Sequence, residues 1–258
     1  MSRIIDFSKF SSIKIGTPIK VDVMREKEPL DGRFLVGGAN NLLVSPTPPP
    51  LVILGKEFEY IKEKDGVLKI GGATKSGRIF SYCKKHNIGC LEFLGKLPGT
   101  LGGLVKMNAG MKVYEIFNSL VDVTLLSGIY TKEELEFGYR FTNISEPIFE
   151  ATFEIKKGFD YKLLEEFTKM RKNQPKEPSA GSVFKNPEGD YAGRLIEAVG
   201  LKGKRVGGAM WSEVHANFLV NMGNASFNDA YNLIKEAKNR VLDEFEIKLQ
   251  EEVIILDN

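Results

Sequence analysis

The sequence predicts an α+β protein of two lobes. Three observations carry this: a strand-rich, glycine-punctuated stretch up to about residue 157, a change to amphipathic helical segments after Gly158, and a closing apolar segment, LQEEVIIL. The chain of 258 residues is long enough for each lobe to bury its own core.

SIKIGTPIKVDVM (12–24) alternates apolar and polar residues and predicts one or two strands. RFLVGGANNLLV (33–44) reads as strand, glycine turn, strand, and the prolines of SPTPPP (45–50) enforce an extended break. LVILG and EYIKEKDGVLKIGGA continue as strands. KSGRIFSYCKKHN follows as a helix with Ile79, Tyr82 and Cys83 on one face. LEFLGKLPGTLGGLVKMNAG (91–110) predicts loops around short elements, and FNSLVDVTLLSGIYTKEELEFGYRF a strand, a turn and a short helix at 131–137. ISEPIFEATFEIKKG returns as a strand and closes the first lobe. Beyond it lie an amphipathic helix in YKLLEEFTKMRKNQ, a second in AGRLIEAVG, and a third in NASFNDAYNLIKEAKNRVLDEF with Asn224 or Ser226 as N-cap. EIKLQEEVIIL reads as a final strand. The predicted boundaries are 1–157, 158–246 and 247–258.

Lysine and arginine number 36 against 34 acidic residues, a net charge of +2 that predicts no broad face for nucleic acid. Cys83 and Cys90 form neither a disulfide framework nor a zinc site, and no His/Cys/carboxylate cluster has metal-ligand spacing, so no metal is predicted. Without an apolar leader or a membrane-length apolar run, the sequence predicts a soluble cytoplasmic protein that does not engage membranes.

Three glycine clusters fall in the first lobe: VGGANN (36–41), GGATKSG (71–77) and PGTLGG (98–103). Each alone reads as a turn, since none has dinucleotide-fold or Walker spacing. Together they point to a large phosphate-bearing cofactor lying across several loops. Asn40, Asn41 and Asn108 adjoin these turns, either as amide ligands or as turn caps. His86 and His215 are the sole histidines, and no G-x-S-x-G elbow surrounds Ser182 in SAGSVFKNP, so its reading as a nucleophile is weak. Arg140 in FGYRF is either a surface arginine lying over its aromatic neighbours or a fixed cation beside a developing oxyanion. Glu251 and Glu252 lie in an aliphatic run where a buried carboxylate needs a partner, and alternation does not choose between them.

The segments SIKIG, VGGANNLLV, LEFLGKLPGTLGGLVKMNAG, FGYRF, QPKEPSAGSVFKNP, AGRLIEAVGLKG, SEVHANFLVN and LQEEV, in this order, resemble the UDP-N-acetylenolpyruvylglucosamine reductases. These are flavoenzymes of peptidoglycan precursor synthesis, and the resemblance spans nearly the whole chain. It implies a two-lobed FAD-binding fold of the vanillyl-alcohol-oxidase (PCMH) type with a C-terminal α/β substrate-binding domain. It implies non-covalent FAD held by Val36, Gly37, Gly38, Ala39, Asn40, Asn41, Leu42, Pro98, Gly99, Thr100, Gly102, Gly103, Asn108 and Gly110. NADPH would be the hydride donor and a UDP-sugar enol ether the substrate. Arg140 would stabilise the enolate, Glu252 would assist, and Ser182 would donate the proton, with Lys185 and Asn186 contacting the UDP-sugar. The final strand would return towards the FAD lobe, and the protein would act as a monomer. Ala39 stands where the family usually carries serine or glycine, and the compact spacing from FGYRF to SAGS resembles the shorter subtype, which lacks a substrate-capping insertion. The alternative is an FAD oxidase or dehydrogenase of the same fold with another small substrate; no His or Cys lies beside a glycine cluster to tether the flavin, as such enzymes often do.

Overall fold

The computed structural model describes residues 1–258 as two compact units, each assembled from separate stretches of chain. The first comprises Met1–Arg3, Val21–Gly38 and Pro50–Lys172; the second comprises Ile4–Lys20, Ala39–Pro49 and Asn173–Asn258. The class is α+β, with sheets and helices in both. No helix is long and apolar enough to cross a membrane.

The first unit is built on a five-stranded antiparallel sheet, in the order Ile129–Thr131, Leu120–Thr124, Glu150–Glu154, Val67–Gly71, Ile61–Lys64. The last two strands are joined by Asp65 and Gly66, both at positive φ (52° and 78°), the two-residue turn that an Asp-Gly pair favours. Leu68, Ile70, Ala151 and Phe153 are buried from the sheet. The helix Ser76–Lys85 adds Ile79 and Cys83 to the same core, and the short helix Leu101–Lys106 adds Leu101, Leu104 and Val105. Burial pushes the Cys83 thiol up to about 12, so it acts as a small apolar residue. A separate parallel set pairs Val21–Met24 and Phe34–Leu35 with Leu51–Leu54.

The expected end of this unit at residue 157 is corrected. The helix Tyr161–Met170 is capped by Asp160, whose carboxylate accepts the Leu163 N–H at 3.0 Å. Its apolar stripe, Leu163, Leu164, Phe167 and Met170, packs into the first core, with the Phe167 ring 5.2 Å from that of Tyr114 and 6.4 Å from that of Phe93. Periodicity identifies such a stripe but not the surface it covers.

In the second unit, an antiparallel sheet orders Ser179–Ser182, Phe218–Asn221, Ala209–Trp211 and Arg205–Val206. The helices Ala192–Ala198 and Phe227–Phe245 cover it, burying Leu195, Ile196, Leu233, Ile234, Ala237 and Val241 with Phe184 and Trp211. Ser226 is the N-cap of the long helix, exchanging bonds with Asp229 in a capping box. Residues 39–49 join this unit because Leu42–Val44 pairs in parallel with the C-terminal strand. Residues 4–20 join it with help from Asn221, whose buried Nδ2 donates to the carbonyls of Ile13 and Lys14.

Three further expectations are revised. Residues 12–17 form a loop rather than a strand, with Lys14 and Gly16 at φ 57° and 131°; a Cβ on Gly16 would meet the Phe7 Cβ at 2.6 Å. The helix expected at 131–137 shrinks to the 3-10 turn Lys132–Glu134, because a hairpin starts directly after it at Phe137. The final strand is confined to Ile254–Leu256. Before it, the Val183 carbonyl accepts both the Glu252 and the Val253 N–H, at 2.8 and 3.2 Å, which interrupts a regular ladder.

Candidate active site

In the first unit, the three glycine clusters are held together. Leu101 N–H donates to the Thr74 carbonyl at 2.9 Å, Gly102 N–H to Gly72 at 2.8 Å, and Ser76 N–H to Gly99 at 2.9 Å. Val36 N–H donates to the Val52 carbonyl at 2.8 Å, anchoring the start of the 36–38 loop. A Cβ on Gly37 would lie 2.7 Å from Thr100 Oγ1 and 3.8 Å from the Gly103 Cα, so the two loops lie against each other with the Thr100 side chain between them. Pro98 is exposed and leads into Gly99 at φ 150°.

Arg140 occupies the turn of a small hairpin, Phe137–Gly138 against Phe141–Thr142, with φ 56°. Its Nη2 donates to the Gly110 carbonyl at 3.0 Å and its Nη1 reaches the Asn108 carbonyl at 3.5 Å. The guanidinium also lies 5.0 Å from the centre of the Tyr139 ring. Asn108 is fully buried, and its side chain bonds to Glu115, Gly138 and Phe117. Asn108 and Gly110, expected as cofactor contacts, therefore grip the arginine through their carbonyls.

The VGGANN loop is divided between the units at Gly38 and Ala39. In the second unit, Ala39 is buried at φ 50° and its carbonyl accepts the Ser12 N–H. Asn40 Nδ2 donates to Ser12 Oγ at 2.5 Å, and Asn41 Nδ2 donates to the Glu252 carbonyl at 2.7 Å. Leu42 is a buried residue of the parallel pair. The side chains of Asn40, Asn41 and Leu42 are thus committed to protein contacts.

Ser182 ends its strand just after Gly181, at φ 84°, where the register shifts against Phe218–Asn221. The chain after it is fixed by a residue that sequence reading missed, Asn217. The Asn217 carbonyl accepts the Val183 N–H at 2.8 Å, its Oδ1 accepts the Phe184 N–H at 3.0 Å, and its Nδ2 donates to the Phe184 carbonyl at 2.8 Å. The available signal was a buried-type asparagine inside the apolar run ANFLV. Val183 in turn accepts the Glu252 N–H, so the serine and the glutamate hang on adjacent peptide groups. The choice that alternation left open is narrowed: Glu251 Oε1 binds Lys238 Nζ of the long helix at 2.6 Å. Lys185 is half-buried with its N–H on the Gln250 carbonyl, and Asn186 Oδ1 accepts the Ala192 N–H at 3.1 Å at the start of a helix. His215 Nδ1 accepts the Asn217 N–H at 3.3 Å, and burial holds its pKa below the ordinary histidine value.

Asn217→Leu should cost about 2 kcal/mol or more, since both polar groups of Phe184 would be buried without partners. Trp211 is the single tryptophan and stacks on Phe184 at 6.1 Å, so its fluorescence should report a lower urea midpoint. An unchanged midpoint would show that these bonds contribute nothing.

A profile of the UDP-N-acetylenolpyruvoylglucosamine reductase C-terminal domain matches residues 174–256. The Helicobacter hepaticus protein of that name is 49% identical over 99% of this chain and 99% of its own length. The Campylobacter jejuni protein is 48% identical over 98% of this chain and 100% of its own length. The crystal structure of the Thermus caldophilus reductase superimposes with a TM-score of 0.86, at 31% identity, covering 100% of both chains. Fold and sequence together define an α+β oxidoreductase. The chain belongs to the UDP-N-acetylenolpyruvoylglucosamine reductase family.

Proposed function

We propose that the protein reduces the enolpyruvyl ether of UDP-N-acetylglucosamine enolpyruvate to UDP-N-acetylmuramate, with non-covalent FAD and with NADPH as hydride donor, in cytoplasmic peptidoglycan precursor synthesis. The observation that carries this reading is end-to-end identity of 49% to a reductase of that name, with the SAGS, FGYR and LQEEV motifs all present. The meeting of the Gly37 and Thr100 loops, whose glycines leave backbone N–H groups uncovered by a Cβ, fits a diphosphate held by backbone rather than by side chains. Of the residues assigned to FAD, Gly37, Gly38, Gly99, Thr100 and Gly103 offer backbone N–H donors, since those of Val36 and Gly102 are spent on Val52 and Gly72 and Pro98 has none.

FAD, held by the 36–42 and 98–103 loops and reduced by NADPH, would supply the hydride that the methylene carbon of the enol ether takes up. The electron pair of the double bond then moves to the ether-bearing carbon and spreads onto the substrate carboxylate. Arg140 offsets that growing negative charge, with its guanidinium already oriented by two backbone carbonyls. Glu252 assists by hydrogen bonding to the substrate carboxylate as the acid. Ser182 Oγ gives its proton to the carbanion and recovers one from solvent, which balances the addition of hydride and proton across the double bond. A hydroxyl is a poor acid in water, so it serves only against a strongly basic carbanion and only when aligned. The Asn217 clamp supplies such alignment one residue away. Lys185 and Asn186 are assigned to the UDP-sugar; the bond from Ala192 fixes the Asn186 carbonyl oxygen and leaves its NH2 as the donor offered to substrate.

The purified protein should be yellow, bleach anaerobically with NADPH, and regain its colour on addition of the enol ether. A colourless protein, or one whose reduced form ignores the enol ether, would sink the reading. Bleaching by an alcohol or hydroxy acid instead would favour the oxidase alternative.

A further inference from the structure

We propose that Asn108 is not a cofactor ligand but the positioning residue for Arg140, acting with Glu115. The inference rests on the reading of Arg140 as the group that stabilises the enolate. The hairpin bearing Arg140 has two residues in each strand, and Phe137, Tyr139 and Phe141 are 41%, 56% and 49% exposed. Two short strands with half their aromatic surface in water do not hold a turn by themselves. The turn is also unfavourable for arginine, whose φ of 56° places its Cβ against the following carbonyl. Order must come from outside the hairpin.

Asn108 provides it from a fully buried position. Its Nδ2 donates to the Gly138 carbonyl at 3.0 Å, directly at the hairpin, and to Glu115 Oε2 at 2.8 Å. Its Oδ1 accepts the Phe117 N–H at 3.4 Å, and its own carbonyl lies 3.5 Å from Arg140 Nη1. One carboxamide therefore fixes both the backbone before the arginine and the loop that receives its guanidinium. Both hydrogens of Nδ2 are used, and Glu115 selects the amide orientation, because a carboxylate can only accept. Thr142 Oγ1 on the Lys106 carbonyl at 2.8 Å and Phe137 on Phe117 at 4.4 Å steady the opposite end of the hairpin, not the turn.

Asn108→Asp puts a carboxylate against Glu115 Oε2 and the Gly138 carbonyl, replacing two attractions with two repulsions. Amide hydrogen exchange across 138–142 should rise at least about tenfold, and reoxidation of the reduced flavin by the enol ether should slow by a similar factor. Flavin content and reduction by NADPH should stay within about twofold, as expected when only the substrate half-reaction depends on the hairpin. Adding Glu115→Gln restores the bond to residue 115 with donor and acceptor exchanged but leaves the Gly138 carbonyl unpaired, and should recover part of both losses. Rescue by a second substitution is something that general destabilisation would not give. If Asn108→Asp does not fold, Glu115→Ala at a half-exposed side chain should still raise exchange at 138–142 by several-fold. Unchanged exchange in the folded variants, or a double variant no better than Asn108→Asp, overturns the proposal. Loss of flavin with unchanged exchange does so too, making Asn108 a cofactor contact. Arg140→Met serves as reference: if it reoxidises normally, the role given to Arg140 fails, while the exchange data still decide whether Asn108 orders the hairpin.

Discussion

Ser182→Ala should leave reduction of the flavin by NADPH at its normal rate while reoxidation by the enol ether falls by about 10²–10⁴-fold, the usual contribution of a positioned proton donor. The two half-reactions separate in this way because hydride delivery to the flavin needs no proton from the chain, whereas completion of the substrate does. The substitution should not disturb the fold. The bonds that fix this stretch run through the backbone of Val183 and Phe184 to Asn217, and through Val183 to Glu252, and none uses the serine oxygen. Stopped-flow absorbance of the flavin reads both steps in one protein. Equal slowing of the two would make Ser182 a structural residue and remove it from the chemistry.

Arg140→Met should slow the same reoxidation by about 10²–10³-fold, the loss typical when one donor to a developing oxyanion is removed. Arg140→Lys should recover only part of it. Lysine keeps the positive charge but lacks the planar fork that reaches the Gly110 carbonyl at 3.0 Å and fixes the direction of the guanidinium. The discriminating measurement is the rate at saturating substrate. If methionine weakens substrate binding and leaves the saturated rate intact, Arg140 binds the carboxylate in ground and transition states alike.

Much of the fold is legible because its signals are local. The Asp65-Gly66 turn, the Ser226 capping box and the stripe along 161–170 each depend on residues within one or two turns of chain. The site motifs are legible for another reason: as short collinear words they carry a family resemblance, and the identities of 48–49% over the full length bear out the family. What stayed hidden depends on partners distant in sequence. The helix 161–170 fills the first core, although its composition announces a new lobe. VGGANN reads as one loop, yet its asparagines serve the second unit, Asn41 by a bond to Glu252 that spans 211 positions. The strand expected over 246–256 fails where one carbonyl takes two successive N–H groups, which no propensity encodes.

The sequence by itself determined the α+β class, the family, and the arginine, serine and glutamate motifs on which the proposed chemistry rests. Tertiary structure alone decided how those side chains are held. It committed Glu251 to Lys238, set Asn217 behind Ser182, and put the buried Asn108 amide on Glu115 and on the Gly138 carbonyl of the hairpin that carries Arg140. The physical reason is that a motif records which groups a reaction requires. The hydrogen bonds that orient those groups are made by whichever residues folding brings within 3 Å, and their sequence positions follow no period or spacing.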